Sequence, residues 1–249
     1  RLALASRGLA AGAECLRPQV LPGRGGRVSW SWRKAHAVET ALFRDLPAPG
    51  AWMPGPNEGA AGNKLEAAES EDGEWLWLSQ GTDWQAFQGG FKTVSSAGLR
   101  PKWISFSVRI ATPALSAANL AFSANKPFLW GVRPIVLFGY RGDDTAAWKR
   151  CFMVEVLSNH AESRCCLLSH VCRLPDEVSE EQVFDVAMHL DWTAGAISVY
   201  IDGRLHVDAA TFDTSDPIRV AAIYNWRSNA RAAFSELTLG DASPHALPG

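Results

Sequence analysis

The feature that most constrains the fold is a regular alternation of apolar and polar side chains in two neighbouring segments near the C-terminal end. The apolar positions are Phe184, Val186, Met188 and Leu190 in the first segment, and Ile197, Val199 and Ile201 in the second. Because successive side chains of a β-strand point to opposite faces, this alternation predicts two half-buried strands. Thr193-Ala194-Gly195 between them predicts a hairpin loop, and Asp202-Gly203 after them predicts a tight turn with positive φ angles.

Short apolar runs recur between residues 74 and 241, with turn residues between them. Their spacing of roughly 8 to 15 residues, without a helical period between them, is typical of an antiparallel β-sandwich or barrel. We therefore predict an all-β chain folded as an antiparallel two-sheet β-sandwich. The predicted strands are EWLWLSQG, WISFSVRIA, NLAFSA, PIVLFGY, RCFMVEVL, VFDVAMHLDW, AISVYID, RLHVD, IRVAAIYNW and AAFSELTLG.

We expect four segments along the chain. Residues 1–47 carry eight basic and three acidic side chains and form an irregular basic N-terminal extension, part of which could pack on the domain. Residues 48–73 are rich in Pro, Gly, Ala and acidic residues without an apolar period, which is typical of a long surface loop or a linker. The β-sandwich domain then takes residues 74–241, and residues 242–249 form a C-terminal tail.

The first residues, RLALASRGLAAG, are rich in Ala, Leu and Arg and do not begin with Met. Two interpretations stay open: the remains of an organellar transit peptide, or part of a truncated reading frame that forms a frayed tail. The five cysteines show no repeated spacing, so they do not predict a disulfide framework, and no Asn-x-Ser/Thr sequon occurs. These features favour an intracellular location, with an organelle as the alternative.

Charge and hydropathy exclude two classes of partner. A net charge of -2 and a pI near 6.3 offer no broad cationic surface, so we do not expect nucleic acid as the main partner. The apolar runs are shorter than the roughly 18 to 20 residues that a membrane-spanning helix needs, so we expect no membrane span.

Two stretches carry a resemblance to a known superfamily. They are WTAGAISVYIDGR, residues 192–204, and AAFSELTLGD, residues 232–241. Together they resemble the concanavalin A-like lectins and glucanases, and within them the laminin-G and pentraxin-like modules. WISFSVRIATP and IYNWRSNARAAFSEL are also similar to sandwich segments of protist and algal proteins. The resemblance implies a jelly roll that binds a ligand or, as in the laminarinase-type members, cleaves a glycan.

The sequence lacks the motifs that catalysis on this fold would use. Laminarinase-like enzymes carry paired carboxylates in a pattern resembling E-x-D-x-x-E, which is absent here. The nearest acidic cluster, ESEDGE at residues 69–74, falls in a predicted loop, and no G-x-S-x-G motif occurs. We therefore predict a non-enzymatic protein without catalytic residues.

Eleven tryptophans are a large number for this length, and most of them should be buried. Those in or beside apolar runs, Trp75, Trp77, Trp103 and Trp192, are predicted to be core residues. Others lie beside Arg or Lys in predicted loops, where Trp and Arg are typical of binding sites. The alternative for these is a structural role, in which Arg stacks on Trp to close the sandwich. The predicted ligand-binding residues are Trp130, Arg133, Arg141, Trp148, Trp226 and Arg227.

The segment HAESRCCLLSHVC gathers side chains of the types that bind zinc, at a spacing that matches no familiar site. Buried thiols are the alternative, and we predict no metal and no cofactor. The residues concerned are His160, Cys165, Cys166, His170 and Cys172.

The predicted function is a recognition or scaffolding module that binds a protein partner or a glycan through its loops or its concave face. Two alternatives stay open, a glycan-active enzyme of the laminarinase-like type with unrecognised catalytic residues and an accessory subunit of an organellar assembly.

Overall fold

The computed structural model describes residues 40–41, 53–54, 65–70, 73–78, 89–110, 117–125, 134–141, 151–157, 167–173, 182–225 and 232–244. The regular secondary structure within these residues is entirely β-strand. The first eight strands are β1 (Thr40–Ala41), β2 (Met53–Pro54), β3 (Leu65–Ser70), β4 (Gly73–Leu78), β5 (Gly89–Thr93), β6 (Trp103–Ile110), β7 (Ala117–Ser123) and β8 (Val136–Arg141). The next seven are β9 (Cys151–Leu157), β10 (Leu167–Arg173), β11 (Val183–Asp191), β12 (Ala196–Ile201), β13 (Arg204–Thr211), β14 (Val220–Asn225) and β15 (Ala232–Gly240).

The strands form two sheets in which the paired neighbours run antiparallel. Within the described residues, the first sheet has eight strands in the order β13-β12-β11-β6-β15-β4-β3, with β1 also beside β15. The second sheet has seven strands in the order β10-β9-β8-β7-β14-β5-β2. The predicted all-β, antiparallel two-sheet sandwich is confirmed.

The core lies between the two sheets and is built from the alternate side chains of their strands. Aromatic rings join the sheets across it: Phe106 of the first sheet meets Phe138 of the second with ring centroids 5.1 Å apart. Phe184 of the first sheet likewise meets Phe152 of the second at 5.1 Å. Both contacts are edge-on, an arrangement that aromatic quadrupoles favour. The apolar positions whose alternation predicted strands β11 and β12 are all buried in this core.

The two predicted turns around β12 are present. Asp202 and Gly203 both have positive φ angles, 49° and 74°, as a two-residue hairpin turn requires. Gly195 ends the preceding loop with a φ of 65°. In that loop the Asp191 carboxylate accepts hydrogen bonds from the backbone N–H groups of Thr193 and Ala194, each at 2.9 Å. These bonds hold the pKa of Asp191 below its usual value.

Strands also occur where we expected a loop or linker. Strand β3 lies within residues 48–73 and pairs along its whole length with β4, from Leu65 opposite Leu78 to Ser70 opposite Gly73. The short strand β2 in the same segment pairs with β5. Paired strands of the sandwich therefore occur before residue 74, while the division of the chain into domains stays a prediction.

The outward faces of the two sheets differ. Strand β14 is buried on both sides, because its sequence VAAIYN has no polar face. On the side away from the main core its residues join a second buried apolar cluster: Phe91, Ala121, Leu137, Val220, Ala222 and Tyr224. The outward face of the first sheet carries a group of hydrogen-bonded polar side chains instead, among them Ser105, Ser107, Asp185 and Thr238. No helix in the described part of the chain is long and apolar enough to cross a membrane.

Candidate functional site

The outward face of the first sheet is centred on strand β6. Its sequence WISFSVRI alternates, and Ile104, Phe106 and Val108 point into the core. The intervening side chains therefore lie on the other side of the sheet. In order along the strand they are Trp103, Ser105, Ser107 and Arg109. This alternation places an indole at one end of the strand, a guanidinium at the other and two hydroxyls between them.

Pairing with strands β11 and β15 extends this row sideways. His189 lies opposite Trp103, and Asp185 lies opposite Ser107. On the other side, Thr238 lies opposite Ser105 and Ser235 opposite Ser107. We call this surface the polar face and define it by these outward residues of β4, β6, β11, β12 and β15: Trp75, Trp103, Ser105, Ser107, Arg109, Asp185, Ala187, His189, Tyr200, Ser235 and Thr238.

Aromatic rings occupy one end of the polar face. The Trp103 ring lies 4.7 Å from the His189 ring and 6.2 Å from the Tyr200 ring, at interplanar angles of 44° and 39°. All three side chains are partly exposed. Leu205, which is 49% exposed, lies opposite Tyr200 on the neighbouring edge strand β13. This end therefore offers an accessible apolar platform.

Hydroxyl and carboxylate groups occupy the middle of the polar face. The hydroxyls of Ser105 and Thr238 are 2.6 Å apart and share a hydrogen bond. The Ser107 hydroxyl donates to the Asp185 carboxylate at 2.7 Å. Ser107, Ala187 and Ser235 are buried, whereas Ser105, Asp185 and Thr238 are partly exposed. The middle therefore presents the donors and acceptors of Ser105, Asp185 and Thr238 at its surface.

A stacked cation lies at the far end. The Arg109 guanidinium sits over the Trp75 ring, 4.2 Å from its centroid. Both side chains are mostly buried, Arg109 being 7% and Trp75 4% exposed. Trp103 and Arg109 are six residues apart on one strand, so this end lies roughly 20 Å from the aromatic end.

A second carboxylate lies beside the polar face. The Asp202 backbone N–H donates to the Asp185 carbonyl at 2.8 Å, and the Asp185 N–H donates to the Asp202 carboxylate at 2.9 Å. Burial raises the pKa of Asp202, and the nearby charge of Asp185 raises it further. The two carboxyl groups thus differ in environment, with Asp185 bonded to a serine hydroxyl and Asp202 engaged in the turn.

The six predicted ligand-binding residues fall outside what the structure describes. Arg141 ends strand β8, where its backbone pairs with β7 and β9, and its side chain lies outside the described part. The predicted site formed by these residues therefore stays a prediction. The other five lie in undescribed segments: Trp130, Arg133, Trp148, Trp226 and Arg227.

The candidate zinc ligands are only partly described. Cys172 is a buried residue of strand β10, and desolvation together with the neighbouring Cys151 raises the pKa of its thiol to about 12. No group of three or more His, Cys, Asp or Glu side chains able to hold a metal occurs in the described residues. His160, Cys165, Cys166 and the His170 side chain lie outside them.

The structure corrects two interpretations of single residues. Trp103 was predicted to be a core residue, yet it lies on the polar face because it has the opposite parity to Ile104 and Phe106 along β6. Trp75 is buried as predicted, but against Arg109 and outside the main apolar core. The signal that could have located this face was the alternation within WISFSVRI, where every second residue is Trp, Ser or Arg.

Solved structures share this architecture. CBM66, a carbohydrate-binding module from Bacillus subtilis, is 13% identical and has a TM-score of 0.46, with 76% of this chain and 96% of that one covered. A sialidase is 10% identical and has a TM-score of 0.52, with 78% of this chain and 17% of that one covered. LamAcat from Zobellia galactanivorans is 10% identical and has a TM-score of 0.49, with 77% and 91% covered.

These likenesses concern the fold alone, an antiparallel two-sheet β-sandwich. The resemblance expected from residues 192–204 and 232–241 is confirmed at the level of the fold. Because one fold hosts many functions, the function is inferred from the chemistry of the site. Neither a scan against protein-family models nor a search of curated proteins found a match.

Proposed function

We propose that this chain is a non-enzymatic glycan-binding module and that the polar face of the first sheet is its binding site. The observation that carries this proposal is the partly exposed cluster of Trp103, His189 and Tyr200 beside a row of hydroxyl groups. The proposal places the ligand on the sheet itself, on residues other than those predicted from the sequence.

The chemistry of a sugar fits both parts of this surface. A pyranose ring has an apolar face of C–H groups, which packs on an aromatic ring, and an edge of hydroxyls, which need donors and acceptors. Trp103 and Tyr200 supply rings that are already held in place by their neighbours. Ser105, Thr238 and Asp185 supply oxygen atoms alongside them.

Binding can be tested with an array of neutral and acidic oligosaccharides, followed by calorimetry on the best ligand. We expect Trp103→Ala to weaken binding by about tenfold or more, since aromatic packing contributes on the order of 1 kcal/mol beyond the buried area. The matched control is Trp192→Phe, because Trp192 packs against the core and donates to the Pro101 carbonyl. Equal affinities for wild type and Trp103→Ala would refute this location of the site.

A glycan-active enzyme is the second candidate, and the pairing of Asp185 with Asp202 favours it. A raised carboxyl pKa suits a general acid. Against this role, the Asp202 carboxylate already accepts the Asp185 N–H and thereby fixes the turn. Incubation of the protein with each bound glycan decides between the two. Release of shortened products by wild type but not by Asp185→Asn would favour the enzyme, whereas recovery of intact glycan supports the binding module.

The sequence also predicted a protein partner as an alternative ligand. Absence of binding to every glycan on the array, with the protein correctly folded, would favour that alternative over the polar-face proposal.

A further inference from the structure

We infer that the glycan bound by the polar face carries an acetamido group at the aromatic end, and that Leu205 and Ser198 bind this group. This inference rests on the proposed function and adds the chemical class of the ligand. An acetamido group combines a methyl group, which packs on an aliphatic side chain, with a carbonyl oxygen, which accepts a hydrogen bond. Leu205 matches the first part and Ser198 the second.

Leu205 is exposed because of an irregularity in strand β13. Leu205 and Val207 are two residues apart, so both would face the same side of a regular strand. Instead, the register shifts between their partners Tyr200 and Val199, which leaves His206 as an extra residue of β13. Val207 is therefore buried in the core, whereas Leu205 lies on the outward side and is 49% exposed. This bulge turns one apolar side chain of the pair outward.

The outward position of Leu205 extends the aromatic end of the polar face. Leu205 lies opposite Tyr200, and opposite residues of an antiparallel pair have Cβ atoms about 4.5 to 5.5 Å apart. The Tyr200 ring in turn lies 6.2 Å from the Trp103 ring. A sugar ring that packs on these two aromatic rings can therefore place a substituent over Leu205. Within the described residues, Leu205 is the one large apolar side chain that is exposed.

The position of β13 limits the size of this substituent. In the described part of the structure, β13 is the last strand of the first sheet on this side, so the apolar surface ends at Leu205. Its neighbours along the strand, Arg204 and His206, are polar and exposed. A methyl group fits on Leu205, whereas a long alkyl chain would extend past the sheet edge into water. A short substituent is therefore favoured over a lipid chain.

Ser198 offers a hydrogen bond beside Leu205. It precedes Tyr200 by two residues on β12, so its side chain lies on the same outward side. A second irregularity of β13 engages this side chain: Ala209 has a φ of 48°, and its backbone N–H donates to the Ser198 Oγ at 3.1 Å. A serine hydroxyl that accepts one hydrogen bond can also donate one.

The spacing of these two residues matches an acetamido group. Diagonal neighbours on an antiparallel pair of strands lie roughly 7 to 8 Å apart, as Ser198 and Leu205 do across β12 and β13. An acetamido group fits between them, with its carbonyl oxygen accepting from the Ser198 hydroxyl and its methyl group in contact with Leu205. A plain sugar hydroxyl at the same position would leave Leu205 uncovered.

Matched glycans test this inference directly. The probes are oligomers of N-acetylglucosamine, of glucosamine and of glucose with equal length and linkage, and the corresponding galactose series. In one of the two series, we expect wild type to bind the acetamido member about 10- to 50-fold more tightly than the hydroxyl member. That factor combines about fourfold for one buried methyl group with the gain from one hydrogen bond. The amino member, which lacks the acetyl group, should show no such gain.

Substitutions then assign the preference to these residues. Leu205→Ala should reduce the ratio of acetamido to hydroxyl affinity by about fourfold, and Ser198→Ala should reduce it several-fold. Thr211→Ala is the matched control, because Thr211 is also exposed on β13 but lies opposite Ala196, away from Leu205. The control should keep the wild-type ratio. Thermal unfolding monitors the folding of each variant, and Leu205→Ala keeps the test valid if Ser198→Ala does not fold.

Three results would overturn the acetamido group while leaving the glycan-binding proposal intact. They are equal affinities for the acetamido and hydroxyl members, equal affinities for the acetamido and amino members, and a full preference in both Leu205→Ala and Ser198→Ala. Failure to bind any glycan would overturn both proposals.

Discussion

Gly89 allows a sharp test of how strands β5 and β14 meet. Its φ of 141° is one that residues with a side chain rarely adopt. A Cβ added at Gly89 would also collide with the backbone carbonyl oxygen of Ile223 and lie 2.9 Å from the Cα of Tyr224. Both obstacles are backbone atoms of the paired strand, so no side-chain rotation can remove them. Gly89→Ala must therefore displace β5 from β14.

The cost can be estimated from these two contributions. The unfavourable backbone conformation costs roughly 1 to 3 kcal/mol. Displacement of the strand weakens one or two ladder hydrogen bonds, each worth about 1 kcal/mol. We expect a loss of about 4 kcal/mol in the free energy of unfolding. For a chain of this size that corresponds to a fall in Tm of roughly 8 to 16 °C.

Gly203→Ala is the matched control for Gly89→Ala. Gly203 also has a positive φ, 74°, but a Cβ there would meet no atom within 4 Å. Only the backbone penalty of about 1 to 2 kcal/mol applies. Urea unfolding followed by circular dichroism measures both variants. If the two substitutions destabilise the protein equally, the close approach of β5 to β14 is wrong.

Two further predictions concern the core and the turn. Phe152→Ala should lower the free energy of unfolding, measured in urea, by about 3 to 5 kcal/mol, because this fully buried ring contacts Phe138 and Phe184 from both sheets. The control is Leu205→Ala, an exposed position where the change should be less than about 0.5 kcal/mol. Similar losses in the two variants would contradict the assignment of the core. Asp202 has a raised folded-state pKa, so its contribution favours folding below its unfolded pKa and is lost as the pH rises through the folded value. Asp202→Asn keeps an oxygen acceptor for the Asp185 N–H but removes this titration. Between pH 3 and 7 the stability of this variant should therefore fall less with rising pH than that of wild type, which thermal unfolding across that range measures. Identical pH profiles would show that the pKa of Asp202 is not raised in the folded state.

The strands that could be predicted are those with a strong alternation of their own. Strands β11, β12 and β6 fall within one residue of the predicted runs VFDVAMHLDW, AISVYID and WISFSVRIA. Asp202-Gly203 was predictable for a similar reason, because only a few residue types accept two consecutive positive φ angles. In each case the information lies within a few neighbouring residues.

Strand β3 shows where such local information ends. Its sequence LEAAES has weak intrinsic strand propensity and resembles in composition the residues that precede it in the sequence. It forms a strand because six of its residues pair with β4, whose own sequence GEWLWL is strongly strand-forming. Pairing of this kind depends on the partner strand, which explains why residues 48–73 were expected to be a loop or linker.

The candidate site was less predictable than the fold. The loop tryptophans and arginines were chosen because the residue types suit binding, and none of them belongs to the polar face. What assembles the polar face is the position of β6 between β11 and β15. One hydrogen bond across it joins Ser107 to Asp185, which are 78 positions apart in the chain. Another joins Ser105 to Thr238, which are 133 positions apart. No local pattern contains that adjacency.

The sequence by itself determined that this chain forms short antiparallel strands with one apolar side, because side-chain alternation and turn conformation are properties of neighbouring residues. The tertiary structure alone decided which outward face is apolar and buried and which is polar and partly exposed. That outcome depends on which strands become neighbours. The contacts of Trp103 with His189 and of Arg109 with Trp75 form only when distant parts of the chain pack into one sheet.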